Sequence, residues 1–118
     1  MALSSLLFVG KRENHRIRQI VIATGVVITL AGSGTGHFAD GTGNAANFNR
    51  PIGVAVSPDG TLLFVGDMAN HRIRQIVIAT GVVTTLAGSG TGQFADGTGT
   101  DRPRLIRRIR RAVTMEIL

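Results

Sequence analysis

The chain of 118 residues contains no cysteine, tryptophan or tyrosine. Without thiols there is no disulfide framework, thiolate nucleophile or cysteine-based zinc site, and the redox compartment stays open. Aromatics make up 4% of the residues, too few to interleave with basic groups as stacking platforms, so nucleic acid is disfavoured as a partner. No apolar run approaches the ~18 residues of a membrane helix, because Arg72, Arg74 and Gln75 interrupt the best one. The reading is a soluble chain with no membrane partner. At the start, Lys11 and Arg12 follow the apolar residues instead of preceding them, so a signal peptide is rejected.

Hydrophobic residues make up 43% of the chain, and Gly occurs 16 times. That combination suits Val-, Ile- and Leu-rich strands separated by Gly-rich turns. The net charge is +6, and six Arg lie in the last 17 residues. Residues 1–100 are nearly neutral, with seven basic and five acidic residues, so a general affinity for polyanions would rest on the tail alone.

The dominant feature is an internal repeat. Leu6–Gly43 and Leu62–Gly99 are identical at 33 of 38 positions, offset by 56 residues. The five differences are Lys11/Asp67, Arg12/Met68, Glu13/Ala69, Ile28/Thr84 and His37/Gln93. A fixed period of this order marks a repeat architecture, in which one supersecondary unit cannot bury its apolar face alone.

Within the second unit the pattern predicts four strands: Gly53–Val56, Leu62–Gly66, Arg72–Ile78 and Val82–Ala87. Ser57-Pro58-Asp59-Gly60 fits a type I turn. In the next connection, Asp67 can accept backbone N–H groups and Asn70 tolerates left-handed φ. Three strands are expected in the first unit: Leu6–Val9, Arg16–Ile22 and Val26–Ala31. The two units flank a stretch, Gly32–Arg50, without hydrophobic period and too long to be left loose in a compact domain. Phe38 and Phe48 are its expected anchors, and Asn44–Asn47 can form a helical turn. The chain therefore divides into a three-stranded partial unit with its loop (1–50), a complete unit with its loop (51–100) and a basic tail (101–118).

The doubled Asn14-His15-Arg16-Ile17-Arg18 and Asn70-His71-Arg72-Ile73-Arg74 resembles the signature of the NHL repeat, with Arg in the third place. Pro51-x-Gly53-Val54-Ala55-Val56, Asp59-Gly60, Asp67-x-x-Asn70-His71, Thr85-Leu86-Ala87-Gly88 and Asp96-Gly97-x-Gly99 are similar to its long bacterial form. The resemblance covers roughly residues 6 to 100. It implies an all-β chain of four-stranded antiparallel meander blades from a β-propeller, about one and three-quarter blades in number and not closed. Asn14, His15, Arg16, Asp67, Asn70, His71 and Arg72 are then structural signature residues. Lys11 stands where Asp67 does in the other copy, so the first unit lacks the organising carboxylate. The resemblance implies other NHL blades as partners, through self-association or as the remainder of a longer chain, with a protein or an anionic ligand as further candidates.

Other chemistry finds little support. Gly32-Ser33-Gly34-Thr35-Gly36 lacks the further Gly of a dinucleotide fingerprint, and a turn reading is preferred. Asp40-Gly41-Thr42-Gly43-Asn44 supplies one carboxylate where calcium wants several charged oxygens, so an Asx turn is preferred. His15, His37 and His71 lack the spacing of a zinc site; His15 and His71 are expected to orient a turn through a hydrogen bond. Arg16, Arg18, Arg72 and Arg74 could line an anion-binding groove, but are expected to pack their stems against a neighbouring unit and keep their heads wet. No cofactor is called for. The tail admits a helix started by Asp101 and Pro103, a strand pairing with the preceding unit, or an out-of-frame continuation of the repeat. The functional reading is a non-catalytic scaffold or binding module. The alternative is a piece of an NHL-type, lyase-like enzyme whose catalytic residues lie in blades not encoded here.

Overall fold

The computed structural model describes residues 5–92. Expectations for Gly97, Gly99 and the tail fall outside them. The strands are β1 (Leu6–Lys11), β2 (Arg16–Val21), β3 (Val26–Ala31), β4 (Gly41–Thr42), β5 (Pro51–Val56), β6 (Leu62–Asp67), β7 (Arg72–Val77) and β8 (Val82–Ala87). Short 3-10 turns cover Arg12–Asn14, Gly43–Ala45 and Met68–Asn70. Among the described residues no helix is long and apolar enough to cross a membrane.

β1, β2 and β3 form an antiparallel meander, and the second sheet has the order β4-β8-β7-β6-β5. Neither sheet closes, as expected of a partial propeller. The second sheet contains the anticipated four-stranded blade and one strand more. The connecting stretch is not structureless: Gly41 and Thr42 pair with Val83 and Val82, and Ala39 bridges to Asn47. These ladders satisfy backbone groups that the packed loop could not leave bare.

The repeat sets the register. Leu63 pairs with Ile76 and Ile76 with Val83, while Val65 pairs with Arg74 and Arg74 with Thr85. Directly paired side chains share a face, so Leu63, Val65, Ile76, Val83 and Arg74 all look one way. In the first sheet Phe8 pairs with Gln19 and Gln19 with Ile28. The core lies between these two faces: Phe8, Ile17 and Ala31 meet Leu63, Val65, Ile76 and Val83, with Ala46 and Phe48 from the connecting stretch and Val54 from β5. Phe48 is an anchor as expected, fully buried, whereas Phe38 remains 40% exposed.

Two turns of like backbone conformation carry the chain from β1 to β2 and from β6 to β7. The left-handed residue in each is the histidine, His15 at φ 54° and His71 at φ 52°, rather than the Asn at position 70. Asn70 lies in the preceding 3-10 turn, where its side chain reaches the Asp67 carboxylate.

Candidate functional site

Asp67 ends β6 and Arg74 sits mid-strand in β7. Both point into the gap between the sheets, where the connecting stretch crosses. Asp67 Oδ1 accepts the Asn49 N–H at 2.8 Å. Its Oδ2 accepts Asn70 Nδ2 at 2.7 Å and Arg74 Nη1 at 2.8 Å. Burial pushes the Asp67 carboxyl above its ordinary value, and the donations from Asn70, Asn49 and Arg74 oppose that rise.

Arg74 uses both ends of its fork. Nη1 also donates to the Asn47 carbonyl at 2.8 Å, and Nη2 donates to the Ala39 carbonyl at 2.8 Å and to Asp40 Oδ1 at 2.9 Å. Its guanidinium carbon stands 4.7 Å from the Phe38 ring centre and 5.0 Å from that of Phe48. A planar fork flanked by aromatic rings suits Arg and not Lys. Nε is the one buried side-chain polar atom without a partner among the described residues. Asp40 accepts a second bond from Thr85 Oγ1 at 3.1 Å, and Asn70 Nδ2 also donates to the His37 carbonyl at 3.0 Å. The network thus fastens positions 37, 39, 40, 47 and 49 of the connecting stretch onto the second sheet.

The expectation of wet arginine heads is corrected here. Arg74 is wholly buried, because the connecting stretch lies over it and supplies carbonyl and carboxylate acceptors. Arg72 is half-buried, its guanidinium 3.8 Å above the Phe38 ring, and its Nη2 donates to Ser89 O at 3.4 Å. Arg16 repeats that bond to Ser33 O at 3.3 Å. Arg18, the counterpart of Arg74, is half-buried and donates through Nε to Ile28 O.

The first copy of the signature is built differently. Lys11 is exposed, as is Asn14, and Arg12 and Glu13 approach only to 3.9 Å at the surface. His15 does act through a hydrogen bond, but on the connecting stretch: its Nδ1 accepts the Arg50 N–H at 3.0 Å. Ser33 Oγ donates to Asn47 Oδ1 and adds a further tie.

The structure brings Asp67, Asn70 and Arg74 together and keeps Asn14, His15 and Arg16 apart from them. Asp40 and Arg74 were overlooked as partners. The available signal was the exchange of Asp67 for Lys11, which removes a carboxylate from one copy of an otherwise identical strand pair.

No family model matches the chain. It is 36% identical over 89 residues to Suppressor of Quenching 1, chloroplastic, of Arabidopsis thaliana, covering 75% of this chain and 8% of that protein. It is 34% identical over 83 residues to NHL repeat-containing protein 2 of Homo sapiens, covering 70% of this chain and 11% of that one. The chain therefore spans about a tenth of these curated relatives. Two solved structures from Bacteroides thetaiotaomicron share its fold at 25% identity. One is a structural genomics protein of unknown function, with a TM-score of 0.73 over 83% of this chain and 25% of that chain. The other is an auxiliary nutrient binding protein, with a TM-score of 0.67 over 80% of this chain and 26% of that chain. With the doubled Asn-His-Arg-Ile-Arg signature set on paired antiparallel sheets, these likenesses place the chain in the NHL-repeat β-propeller family.

Proposed function

We propose that the chain is a non-catalytic propeller scaffold whose signature residues hold one blade against the next and whose loops are left to bind. The supporting observation is the consumption of Arg74. Both of its terminal nitrogens and the Asp67 carboxylate are engaged by groups of the same chain, and the one unpartnered nitrogen, Arg74 Nε, is itself buried. A catalyst needs unlike groups converging on an open position, whereas here the unlike groups converge on backbone carbonyls. Partners in this reading are other NHL blades and, at the loops, a protein or an anionic ligand; the nutrient-binding description of one Bacteroides neighbour is a precedent for ligand carriage by such blades.

The test is elemental analysis of the purified chain alongside His37→Gln, which installs the residue found at the equivalent position 93. The scaffold reading expects no stoichiometric metal in either protein and the same melting behaviour for both. One zinc or calcium per chain, lost in the variant, would contradict it.

A further inference from the structure

The two copies of one sheet face differ in charge at a single point. On the second sheet Asp67 pairs with Arg72 and Val65 with Arg74, and the diagonal neighbours Asp67 and Arg74 close to 2.8 Å. On the first sheet Lys11 pairs with Arg16 and Val9 with Arg18, in the same register. Like backbones aim like positions at the same place, so Lys11 and Arg18 converge as Asp67 and Arg74 do, but both are cations. Like charges so placed on a sheet repel. No group of the chain relieves that repulsion among the described residues. The acceptors that Arg74 finds at Ala39, Asp40 and Asn47 have no counterpart at Arg18, which donates there only through Nε, to the Ile28 carbonyl at 3.3 Å. Its Nη1 and Nη2 and the Nζ of exposed Lys11 donate to nothing among the described residues. Arg16 flanks them, with Nη2 donating to the Ser33 carbonyl at 3.3 Å. The one carboxylate of the β1–β2 hairpin, Glu13, lies in the turn with its Oε1 3.9 Å from Arg12 Nε.

We propose that Lys11 and Arg18, flanked by Arg16, bind a dianionic oxyanion of the phosphate class, as inorganic phosphate or as the phosphate group of a monoester. The proposal rests on the scaffold reading and names the class of its anionic ligand. The second copy supplies the reason for a dianion: there the Arg74 guanidinium meets two negative charges, Asp67 and Asp40. A single carboxylate would neutralise one of the two cations on the first sheet, whereas a phosphate neutralises both. Its tetrahedral oxygens also suit the donors, since the planar fork of Arg18 can take two of them and the point charge of Lys11 a third. Lys11 is thus the residue that turns a position closed by an internal ion pair in one copy into an open anion site in the other.

The experiment is isothermal titration calorimetry of the 118-residue chain with inorganic phosphate at low ionic strength, where exposed cations are least screened. Saturable binding is expected for the wild type. Lys11→Asp, which restores the carboxylate of the second copy and lets Arg18 pair within the chain, should weaken it by about tenfold or more. Should that variant lose its far-UV β-signal, Arg18→Gln takes its place. Arg108→Asp makes the same change of charge in the tail and should alter binding by less than about twofold. Succinate, a dianion with its charges apart, and acetate should each bind about tenfold more weakly than phosphate. Absence of saturable phosphate binding would overturn the proposal. Equal weakening by Lys11→Asp and Arg108→Asp would do the same, because affinity would then follow net charge, as would succinate binding as tightly as phosphate. p-Nitrophenyl phosphate separates this failure from that of the scaffold reading. Binding without hydrolysis upholds both, whereas hydrolysis that Lys11→Asp abolishes upholds the site and overturns the non-catalytic reading.

Discussion

Arg74 Nη1 lies 2.8 Å from Asp67 Oδ2, and neither side chain is exposed to solvent. The same two positions in the first sheet hold Lys11 and Arg18, two cations. Burying an ion pair costs several kcal/mol of desolvation for each ion, and the pair is tolerated only when its remaining donors and acceptors are satisfied. Here backbone carbonyls at 39 and 47, the N–H at 49 and the Asp40 carboxylate provide that satisfaction for every group but Arg74 Nε. The pair exists where the connecting stretch of the preceding blade crosses it.

Equal substitutions in the two copies should have unequal cost. Leu63→Ala empties a fully buried position between the sheets and should destabilise by about 3 kcal/mol. Leu7→Ala, 46% exposed, should cost about 1 kcal/mol or less. Urea unfolding of the two variants in dilute solution measures the difference, and equal costs would mean that the sheets do not pack through the Leu63 face.

The turn after β3 should be intolerant of a Cβ in a way that the turn before it is not. Gly32 has φ +107°, and a Cβ there would come 2.5 Å from His15 O and 2.9 Å from Arg16 Cα. Gly25 has φ +74° with nothing within 4 Å. Gly25→Ala should cost about 1 kcal/mol for its left-handed backbone, and Gly32→Ala about 3 kcal/mol because backbone must also move. Thermal melts of both variants decide the ranking.

Two aspartates should respond to acid with opposite sign. Hydrogen bonds from Ser57 and Thr61 lower the exposed Asp59 carboxyl from 3.8 to about 2. Its contribution is therefore present above 3.8 and lost as pH falls through about 2. Asp67 is raised by burial, so its contribution is full below the unfolded value and lost as pH rises through the raised one. Asp59→Asn should flatten the acid loss of stability, read as the urea midpoint at pH 5 and at pH 2. An unchanged loss would show that the Ser57–Thr61 turn does not hold the carboxylate.

Much of the fold was legible because the repeat compares the chain with itself. β3 and β8 have the expected bounds, the other expected strands shift at their ends by one or two residues, and β4 in the connecting stretch was not expected. Arg74 was misread because alternation along β7 reports only which face a residue takes. Whether that face is wet depends on the connecting stretch, whose path follows from Phe48 burial and carbonyl placement and not from any period. The left-handed backbone at His71 was hidden for a related reason: Asn70 is the better intrinsic candidate, but its side chain is held by Asp67 and the bend passes to the next residue. The pair itself was visible only as a difference, Asp67 against Lys11.

The measurement that bears most directly on the scaffold account is a double-mutant cycle on Asp67 and Arg74, using Asp67→Asn, Arg74→Met and both together in equilibrium urea unfolding. Arg74→Met leaves Asp67 buried without a cation, and Asp67→Asn leaves buried Arg74 with only the half-exposed Asp40 as counter-charge; each should cost about 3 to 5 kcal/mol. The account predicts that the double variant costs little more than either single one, a coupling of about 2 kcal/mol or more. Costs that add to within about 0.5 kcal/mol would contradict it, because the two residues would then not act together in tying the connecting stretch to the blade.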